Sequence, residues 1–421
     1  MLSIDYIRQN KQKVIEAAKN KNREVDIDKI LKLDDQRLEL IHKIQKLREE
    51  RNRLAKMGRP HVTSESEVPR GKQIKKELKK LEEQLTINDQ QLDELQSFVP
   101  NVPLDEVPIG KDATGNKEIK KWGELPKFDF KAKSHIDLGS SLDIIDLEKG
   151  VKISGYRGYF LKNELAQMHF ALLFYVFQKL IKKGYSPVIA PALVKGFTLF
   201  GSGQFPWGKV EVYNPDEDIY LAGTAEVPVT AYYSGEILNE KDLPKKFVAL
   251  SPCFRKEIGS YGKDTKGIYR VHEFWKIEQV IINKNNLIEA RKLHDELQAN
   301  CEEILQDLKL PYRVLLMCTG DMGEPQMIKY DTETWMPSRN AYGETMSNSI
   351  MGDFQTRRLN IKYRKKDGKT EYCFSLNNTA LASPRILIAI LENYQQKDGS
   401  VLIPKVLQSL TGFDKIMLKK A

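Results

Sequence analysis

Two heptad seams of similar length, separated by a short breaker, occupy much of the first hundred residues. The first seam consists of Leu33, Arg37, Leu40, Ile44, Leu47, Arg51 and Leu54, and the second of Ile74, Leu78, Leu81, Leu85, Asn88, Leu92 and Leu95. Alternating spacings of four and three place these side chains along one stripe of each helix. Between the seams, Gly58, Pro60 and Pro69 are residues that interrupt helices. The pattern predicts an antiparallel coiled-coil hairpin about 40 Å long, which should project from the rest of the chain.

Positive charge is concentrated in the outer half of this hairpin. The chain has a formal net charge of +9, and residues 43–80 contain thirteen Lys or Arg against five Asp or Glu. One short segment therefore holds a net charge of +8, nearly the whole excess. A solvated helical face is the usual reason for such a run. Here the concentration favours a polyanionic partner, in particular nucleic acid.

The composition is typical of a soluble globular protein, with 41% hydrophobic and 30% charged residues. The longest apolar runs, such as residues 386–391, are too short to cross a bilayer, and the N-terminus lacks an apolar signal core. The four cysteines are scattered without a CxxC motif. This argues against a zinc site or a disulfide framework and favours the reducing cytoplasm.

The chain divides into three predicted parts. Residues 1–100 form a helical domain whose arm spans about 30–98, residues 101–135 form a linker with several Pro and Gly, and residues 136–421 form a domain of mixed strands and helices. In the last part, short strands at Tyr159–Leu161 and Ile219–Leu221 alternate with a long helix over Leu161–Lys183. This arrangement indicates an α+β fold with a mostly antiparallel sheet. Neither GxGxxG nor GxxxxGK[ST] occurs, so a Rossmann or P-loop site is not supported.

Two charged segments near the middle of the chain predict a binding surface. Residues 254–257 and 269–278 read as two strands joined by a loop that contains Gly259, Gly262 and Gly267. Because side chains alternate along a strand, one face should carry Arg255, Glu257, Arg270, His272, Phe274, Lys276 and Glu278, and the opposite face Val271, Trp275 and Ile277. Two arginines, an aromatic ring and two carboxylates suit a phosphorylated, planar and aminated ligand, such as a nucleotide beside an amino acid. We expect His272 and Trp275 to be structural and Lys276 to be solvated, and a surface ion pair is the alternative for Arg255 and Glu257.

These segments resemble motif 2 of the class II aminoacyl-tRNA synthetases. Residues 378–385, Asn-Thr-Ala-Leu-Ala-Ser-Pro-Arg, resemble motif 3, and residues 184–191 resemble the motif 1 dimer element. Within that class, the TxE sequence at Thr224–Glu226, the stretch 353–358, and Pro100-Asn101 after a helical arm are similar to the seryl-tRNA synthetase family. The resemblance runs nearly end to end. It implies that residues 136–421 are the class II catalytic domain, an antiparallel sheet flanked by helices, and that the N-terminal coiled-coil arm binds tRNA.

The resemblance also implies the chemistry. Serine's carboxylate attacks the α-phosphorus of ATP, and the adenylate is then captured by tRNA; Arg255 and Arg385 are the implied catalytic residues. Arg255 would bridge the carboxylate and the α-phosphate, Phe274 and Arg385 would enclose adenine, and Arg270 would hold the γ-phosphate. The implied ATP-binding set is Arg255, Lys256, Glu257, Arg270, Phe274, Glu344, Thr345, Met346, Ser347 and Arg385. Glu344 and Ser347 would meet Mg²⁺ through ATP, and no zinc is expected.

Serine selection and partners follow from the same resemblance. The implied serine-binding set is Thr224, Ala225, Glu226, Arg255, Glu278 and Thr379. Glu278 and Thr379 would contact the serine side chain, whereas Thr224 and Glu226 would contact the ammonium group. The expected partners are ATP, L-serine, tRNA-Ser, tRNA-Sec where the host has it, and a second copy in a homodimer, with no membrane.

One stretch departs from the family pattern. Bacterial members commonly have Glu-(Val/Ile)-Ser-Ser-Cys-Ser-Asn where this chain has Glu344-Thr-Met-Ser-Asn-Ser-Ile350. Met346 and Ile350 replace polar residues, so the resemblance does not define the nucleotide contacts near Thr345 and Met346, whereas Glu344 and Ser347 keep their places and activity is expected. Two rival functions stay open. A class II relative that loads another carrier would lack the arm, and an inactive nucleic-acid-binding or scaffold protein would lack Arg255, Glu278 or Arg385, all of which are present.

Overall fold

The structure, a computed structural model, describes residues 1–57, 67–258 and 266–418. It divides into two compact units, Met1–Pro100 and Asn101–Ala421. Gly58 and Pro60 of the predicted breaker, and Gly259 and Gly262 of the predicted loop, lie outside the described residues. None of the helices within the described ranges combines the length and apolar character that a bilayer span requires.

The N-terminal unit is helical. Its helices are α1 (Ile4–Gln9), α2 (Lys11–Asn20), α3 (Ile27–Met57) and α4 (Glu67–Ser97). The Ser3 hydroxyl accepts from Tyr6 N and caps α1. Pro69, expected to end the breaker, lies in the first turn of α4, where a residue without a backbone donor is tolerated.

Helices α3 and α4 form the predicted antiparallel hairpin. Ile44 of α3 is buried with Ile74 and Leu78 of α4 at the seam. Ion pairs between the helices are Arg37–Asp89, Arg48–Glu82 and Arg70–Glu50. Residue numbers rise along α3 while those of the partners fall along α4, which shows that the helices are antiparallel. Each helix has 31 residues, a length of about 46 Å.

The second unit is built on a large sheet. Its strands are β1 (Lys117–Trp122), β4 (Ser186–Ile189), β9 (Lys245–Phe254), β10 (Glu273–Asn283), β11 (Tyr312–Leu316), β12 (Ile328–Met336), β13 (Ala341–Gly352) and β16 (Phe374–Ala382). The order is β1-β11-β12-β13-β16-β10-β9-β4. The pair β4–β9 is parallel and the other pairs are antiparallel. Residues 101–135, predicted to be a linker, contribute β1 at the edge of this sheet.

Shorter strands form small sheets around the large one. They are β2 (Ile145–Asp146) with β3 (Phe160–Leu161), β5 (Leu193–Lys195), β6 (Tyr213–Asp216) and β7 (Ile219–Leu221), β8 (Ile237–Asn239), β14 (Lys362–Arg364) and β15 (Thr370–Tyr372), and β17 (Val401–Leu402) with β18 (Lys415–Ile416). The helices are α5 (His135–Ser141), α6 (Leu147–Ser154), α7 (Asn163–Lys182), α8 (Gly196–Ser202), α9 (Glu226–Thr230), α10 (Leu287–Asp307), α11 (Phe354–Arg358), α12 (Ser383–Asn393) and α13 (Lys405–Thr411). The antiparallel sheet with flanking helices, together with the arm, confirms the predicted α+β class.

Strand β10 separates the helix-covered core from the functional face of the sheet. Ile277 and Ile281 are buried in one apolar cluster with residues of α7, α10 and α12, and Gln279 accepts a hydrogen bond from Asn300 of α10 at 2.7 Å. Alternation turns the even-numbered side chains of β10 to the other side. Lys276 and Glu278 therefore face away from α10, and the site forms on that face.

Candidate active site

The two strands that frame the site are shorter than predicted. Strand β9 ends at Phe254 and β10 begins at Glu273. Arg255 and Glu257 consequently lie in the connection between them, and Glu257 has a φ of +53°, which is outside the strand region. The interpretation of Arg255 and Glu257 as neighbours on one strand face was wrong.

The far end of the connection departs from alternation in the same way. Arg270 and Val271 line one pocket together, although they were assigned to opposite faces. His272 instead contacts the backbone of Arg255. Its Nδ1 lies 2.9 Å from Arg255 O, and Arg255 N donates to His272 O at 2.9 Å. These reciprocal contacts give His272 a structural role, because they hold the start and the end of the connection together.

Arg255 supplies the central cation of the site. Its Nε donates to Gly223 O at 3.2 Å, and its guanidinium carbon lies 5.4 Å from the centroid of the Phe274 ring. Within the described residues, no hydrogen bond or ion pair engages its two terminal nitrogens. Arg255, Glu257 and Arg270 line both of two adjoining cavities. Arg255 can therefore donate to an anionic ligand that reaches from one cavity to the other.

A β-bulge places Thr379 beside Glu278. Ile277 pairs with Leu381 on β16, but Glu278 pairs with Thr379, so Ala380 is the extra residue. The shift turns Thr379 to the same face as Glu278, and its hydroxyl lies 3.3 Å from Glu278 Oε2. A buried carboxylate and a hydroxyl now face one space, which suits recognition of a small polar ligand.

Lys276 belongs to the same buried cluster. Its Nζ lies 2.5 Å from Glu278 Oε2, 2.7 Å from Thr224 Oγ1 and 3.3 Å from Thr379 Oγ1. Only 4% of Lys276 is exposed and Glu278 is fully buried, so the prediction that Lys276 is solvated was wrong. Asn377 Nδ2 also donates to Glu278. The lysine compensates the charge of a carboxylate that burial would otherwise destabilise.

Glu226 stands at the second cavity, which has a volume of about 520 Å³. Gln355 Nε2 donates to Glu226 Oε1 at 2.7 Å. Burial, and then repulsion from Glu278, raises the pKa of Glu226 to about 7. The neighbouring Ala225 is buried in a small apolar cluster. Glu226 is therefore a carboxylate whose charge is sensitive to a cation placed beside it.

A second bulge organises the pocket side of β13. The pairing of β13 with β12 skips Thr345. Because of this extra residue, Glu344 and Ser347 face the same side of the sheet, although they are three positions apart. The Thr345 hydroxyl lies 2.7 Å from Thr334 Oγ1, so it joins two strands and does not face a ligand. Met346 is 1% exposed and lines the pocket with Glu344 and Ser347.

Arg385 lies in the first turn of α12 and is held in place from two sides. Its Nη1 donates to Glu344 O and Oε2, each at 3.0 Å, and its Nε donates to Tyr269 O at 3.2 Å. The guanidinium carbon is 4.5 Å from the centroid of the Tyr269 ring. Burial would raise the pKa of Glu344, but the charges of Arg385 and Lys329 outweigh it and lower the pKa to about 2. Glu344 is therefore ionised at neutral pH.

Most of the residues singled out from the sequence meet at one pocket. Its lining includes Arg255, Glu257, Arg270, Phe274, Glu344, Thr345, Met346, Ser347, Thr379 and Arg385. Thr224 and Glu278 both contact Lys276, which also lines this pocket, and Glu226 lies at the adjoining cavity. Lys256 is turned elsewhere, since its ammonium is 5.7 Å from the ring centroid of Tyr213.

Four residues of the site were not predicted to take part in it. They are Tyr269, Lys276, Asn377 and Gln355. Alternation with Glu278 did place Lys276 on the correct face, which was the available signal. Asn377 and Gln355 act through contacts with residues about a hundred or more positions away, and no local pattern marks such contacts.

The arrangement also limits metal binding. In the parts of the chain that the structure describes, no group of three or more His, Cys, Asp or Glu side chains could hold a metal ion. Glu344 and Ser347 offer hard oxygen ligands on one face of the sheet. That donor set suits a magnesium ion whose remaining ligands come from phosphate and water.

Two family models match this chain. The seryl-tRNA synthetase N-terminal domain matches residues 1–103, and the tRNA synthetase class II core domain (G, H, P, S and T) matches residues 209–394. The chain is 41% identical to a serine--tRNA ligase of Deinococcus radiodurans over 99% of both sequences. It is also 41% identical to that of Treponema denticola, over 99% of this chain and all of the relative.

Solved structures agree in fold over the whole length. Seryl-tRNA synthetase from Pyrococcus horikoshii, complexed with ATP, has a TM-score of 0.93 at 37% identity and covers all of both chains. The cytoplasmic serine-tRNA ligase of Naegleria fowleri, in complex with AMP, has a TM-score of 0.89 at 32% identity, covering all of this chain and 99% of the other.

Proposed function

The chain belongs to the seryl-tRNA synthetase family of class II, and on this premise we propose that it activates L-serine with ATP and transfers serine to tRNA-Ser. The observation that carries the proposal is the position of Arg255. Its guanidinium lines both the cavity that holds Glu226 and the pocket that holds Phe274 and Arg385. A cation in that position can contact an amino acid and a nucleotide at once.

The reaction has two steps. An oxygen of the serine carboxylate attacks the α-phosphorus of ATP, and the bond to pyrophosphate breaks to give seryl-adenylate. A hydroxyl of the terminal adenosine of tRNA then attacks the seryl carbonyl, and AMP leaves. The attacking carboxylate is already ionised at neutral pH, so the first step needs no general base. Arg255 stabilises the negative charge that gathers on the α-phosphate.

The nucleotide pocket is assigned from its lining. The Arg385 guanidinium lies against Tyr269 on one side, so its other face is the one that adenine can stack on. Phe274 supplies the second surface for the base. Arg270 is paired with Glu257 at 3.2 Å, and its guanidinium would bind the γ-phosphate when ATP is present. Thr345 has its hydroxyl bonded within the sheet, so its contact with ATP would be through the backbone.

Serine is assigned to the buried polar cluster. Glu278 and Thr379 would contact the serine hydroxyl, and Thr224 and Glu226 the ammonium group. A site that is built to bond a hydroxyl rejects alanine, because the buried polar groups would lose their partners. The ammonium group would favour the ionised form of Glu226, whose pKa is raised to about 7 without it. Ala225 belongs to the implied serine-binding set and Lys256 to the implied ATP-binding set, and each would contact its ligand through its backbone.

Magnesium is the proposed cofactor, brought in with ATP. Glu344 and Ser347 would hold it from one face of the sheet, with Glu344 kept ionised by Arg385. When bound, the ion neutralises charge on the phosphates of ATP. We expect no zinc in this site.

The arm is the proposed tRNA-binding element. In the basic segment 43–80, exposed side chains of α3 and α4 include Lys43, Lys46, Arg51, Arg53, Lys56, Lys72, Lys75, Lys76, Lys79 and Lys80. Arg48 and Arg70 are paired with acids of the opposite helix. The exposed group gives a polyanion many phosphate contacts. We propose that it grips the elbow and long variable arm of tRNA-Ser, and of tRNA-Sec where the host has it.

A homodimer is proposed from an exposed apolar surface at motif 1. Ile189 of β4 is 82% exposed, and Phe170 and Phe174 of α7 are 63% and 53% exposed. Large exposed apolar side chains on adjacent elements are typical of protein interfaces. Substituting Ile189→Glu should give a monomer in sedimentation velocity.

The four cysteines are all buried and unpaired, which fits the reducing cytoplasm as the proposed compartment.

Amino-acid-dependent pyrophosphate exchange tests the first step directly. We expect exchange with serine and a much weaker signal with alanine or threonine at the same concentration. Exchange with a different amino acid but not with serine would exclude the assignment. Charging of unfractionated tRNA with labelled serine tests the second step.

A further inference from the structure

An aromatic cavity lies beside the active site and is not used by the reaction proposed above. Its volume is about 260 Å³, and its walls include Tyr156, Tyr159, Tyr213, Phe254 and His272. We infer that this cavity binds one unpaired nucleobase of the tRNA 3′ strand, by stacking on Tyr156 and Tyr213. The inference rests on the proposed function, because it takes tRNA to be the second substrate.

The rings are arranged around His272. Tyr156 and Tyr213 each have their ring centroid 6.3 Å from that of His272, at interplanar angles of 66° and 87°. Both tyrosine rings are therefore steeply inclined to the imidazole, and both line the cavity. Tyr156 is 50% exposed, so its ring is not part of the apolar core. An accessible aromatic ring can stack on the plane of any of the four nucleobases.

Charges next to the rings favour a ligand that carries phosphate. The Arg157 guanidinium carbon lies 5.1 Å from the ring centroid of Tyr156, and the Lys256 ammonium lies 5.7 Å from that of Tyr213. Arg157 also lines the cavity and donates to Arg270 O at 2.9 Å. The one acid among the described lining residues is Glu273. Aromatic faces flanked by cations are the combination that recognises single-stranded nucleic acid.

The cavity is a neighbour of the reaction site. Phe254 is a wall of this cavity and of the larger one that holds Glu226 and Arg255. His272 is joined to the backbone of Arg255 in both directions. A tRNA strand that brings its terminal adenosine to Arg255 would carry a preceding nucleotide close to this neighbouring cavity. Stacking that nucleotide would orient the terminal hydroxyl towards the adenylate.

The test compares Tyr156→Ala with Tyr156→Phe, which keeps the ring. For Tyr156→Ala, kcat/KM for a tRNA-Ser transcript should fall roughly 5- to 150-fold, the loss expected from one base–aromatic stack. Tyr156→Phe should charge like the unsubstituted enzyme. Both variants should keep serine-dependent pyrophosphate exchange, which uses no tRNA and reports an intact catalytic unit. Normal charging by Tyr156→Ala, or parallel loss of exchange and charging, would overturn the inference.

Abasic transcripts identify the stacked nucleotide. Each carries one abasic position among the unpaired nucleotides that precede the terminal adenosine. One of them should lower charging by the unsubstituted enzyme and by Tyr156→Phe, but cause no additional loss with Tyr156→Ala. Equal losses with all three enzymes at every position would show that the cavity holds no base. If the unsubstituted enzyme exchanges and charges no serine at all, the proposed function fails, which is a separate result.

Discussion

The arm and the active site are held together by different kinds of contact. At the arm, apolar side chains repeat along a seam and ion pairs such as Arg48–Glu82 lie at the surface, about half exposed. At the site, single polar contacts are fully buried, as in Lys276–Glu278. Exposed ion pairs are worth about 0–1 kcal/mol, whereas breaking a buried one costs about 3–5 kcal/mol. Surface ion pairs of the arm can therefore change at little cost in stability, but each polar residue of the site depends on the others.

The sharpest separation of the two regions is removal of the arm. Deleting residues 30–98 should lower charging of tRNA by at least about 10³-fold, because many phosphate contacts are lost together. Serine-dependent pyrophosphate exchange should be unchanged, since it needs only the second unit. Steady-state charging and exchange measured on one preparation give both numbers. Unaltered charging would show that the arm does not bind tRNA.

Substituting Arg255 should impair the active site and leave the arm intact. Arg255→Ala should slow pyrophosphate exchange by about 10²–10³-fold, the cost of removing one transition-state donor. Binding of tRNA, measured by filter retention, should stay the same because the arm is intact. Arg255→Lys is the matched control and should recover only part of the rate, since lysine cannot make the two-pronged contact. Loss of the thermal unfolding transition in Arg255→Ala would instead mark a structural residue.

The buried and exposed ion pairs can be compared by stability. Lys276→Met should lower the free energy of unfolding by about 3 kcal/mol, because Glu278 keeps a buried charge without its partner. Arg48→Met in the arm should cost less than about 1 kcal/mol. All four tryptophans lie in the second unit, at Trp122, Trp207, Trp275 and Trp335. Tryptophan fluorescence in urea therefore measures the free energy of unfolding of the Lys276→Met variant. Circular dichroism reports the arm variant. Equal losses in the free energy of unfolding for the two variants would show that the buried and the exposed ion pairs stabilise the protein equally.

The smallest expected effect is a pH dependence confined to the site. The pKa of Glu226 is raised to about 7 in the absence of ligand, so below pH 7 the side chain is increasingly protonated and would lose the attraction proposed above for the serine ammonium group. The KM for serine should rise as pH falls from 7, by at most about tenfold per unit. Glu226→Gln should bind serine weakly at every pH and abolish this slope. The affinity of tRNA for the arm should not follow the same curve.

The sequence predicted the arm well because its apolar pattern repeats every three or four residues along each helix. Residues such as Ile74 and Leu78 are four positions apart, so helical geometry places them on one stripe of α4, and they are buried there with Ile44 of α3. The catalytic surface was predicted less completely. Alternation holds along β10 from Phe274 to Glu278, but it fails before Glu273, where the strand has not begun.

The two bulges explain why the remaining geometry could not be predicted. Ala380 and Thr345 are extra residues only with respect to the partner strands, so no feature of their own segments marks them. Motif resemblance nevertheless selected Thr379 and Glu344, whose orientation depends on those bulges. Lys276 was misjudged because its burial is created by Thr224, which comes from a distant part of the chain.

The Lys276–Glu278 pair has a consequence for how this protein can evolve. Either residue changed alone leaves one uncompensated charge in the interior, whereas a joint exchange for two neutral side chains removes that cost. The path between the two combinations passes through a poorly folded intermediate. Because Glu278 also belongs to the proposed serine-binding set, active descendants should keep the pair, whereas a library that randomises both positions and is selected only for folding should recover matched pairs far more often than independent choice would give.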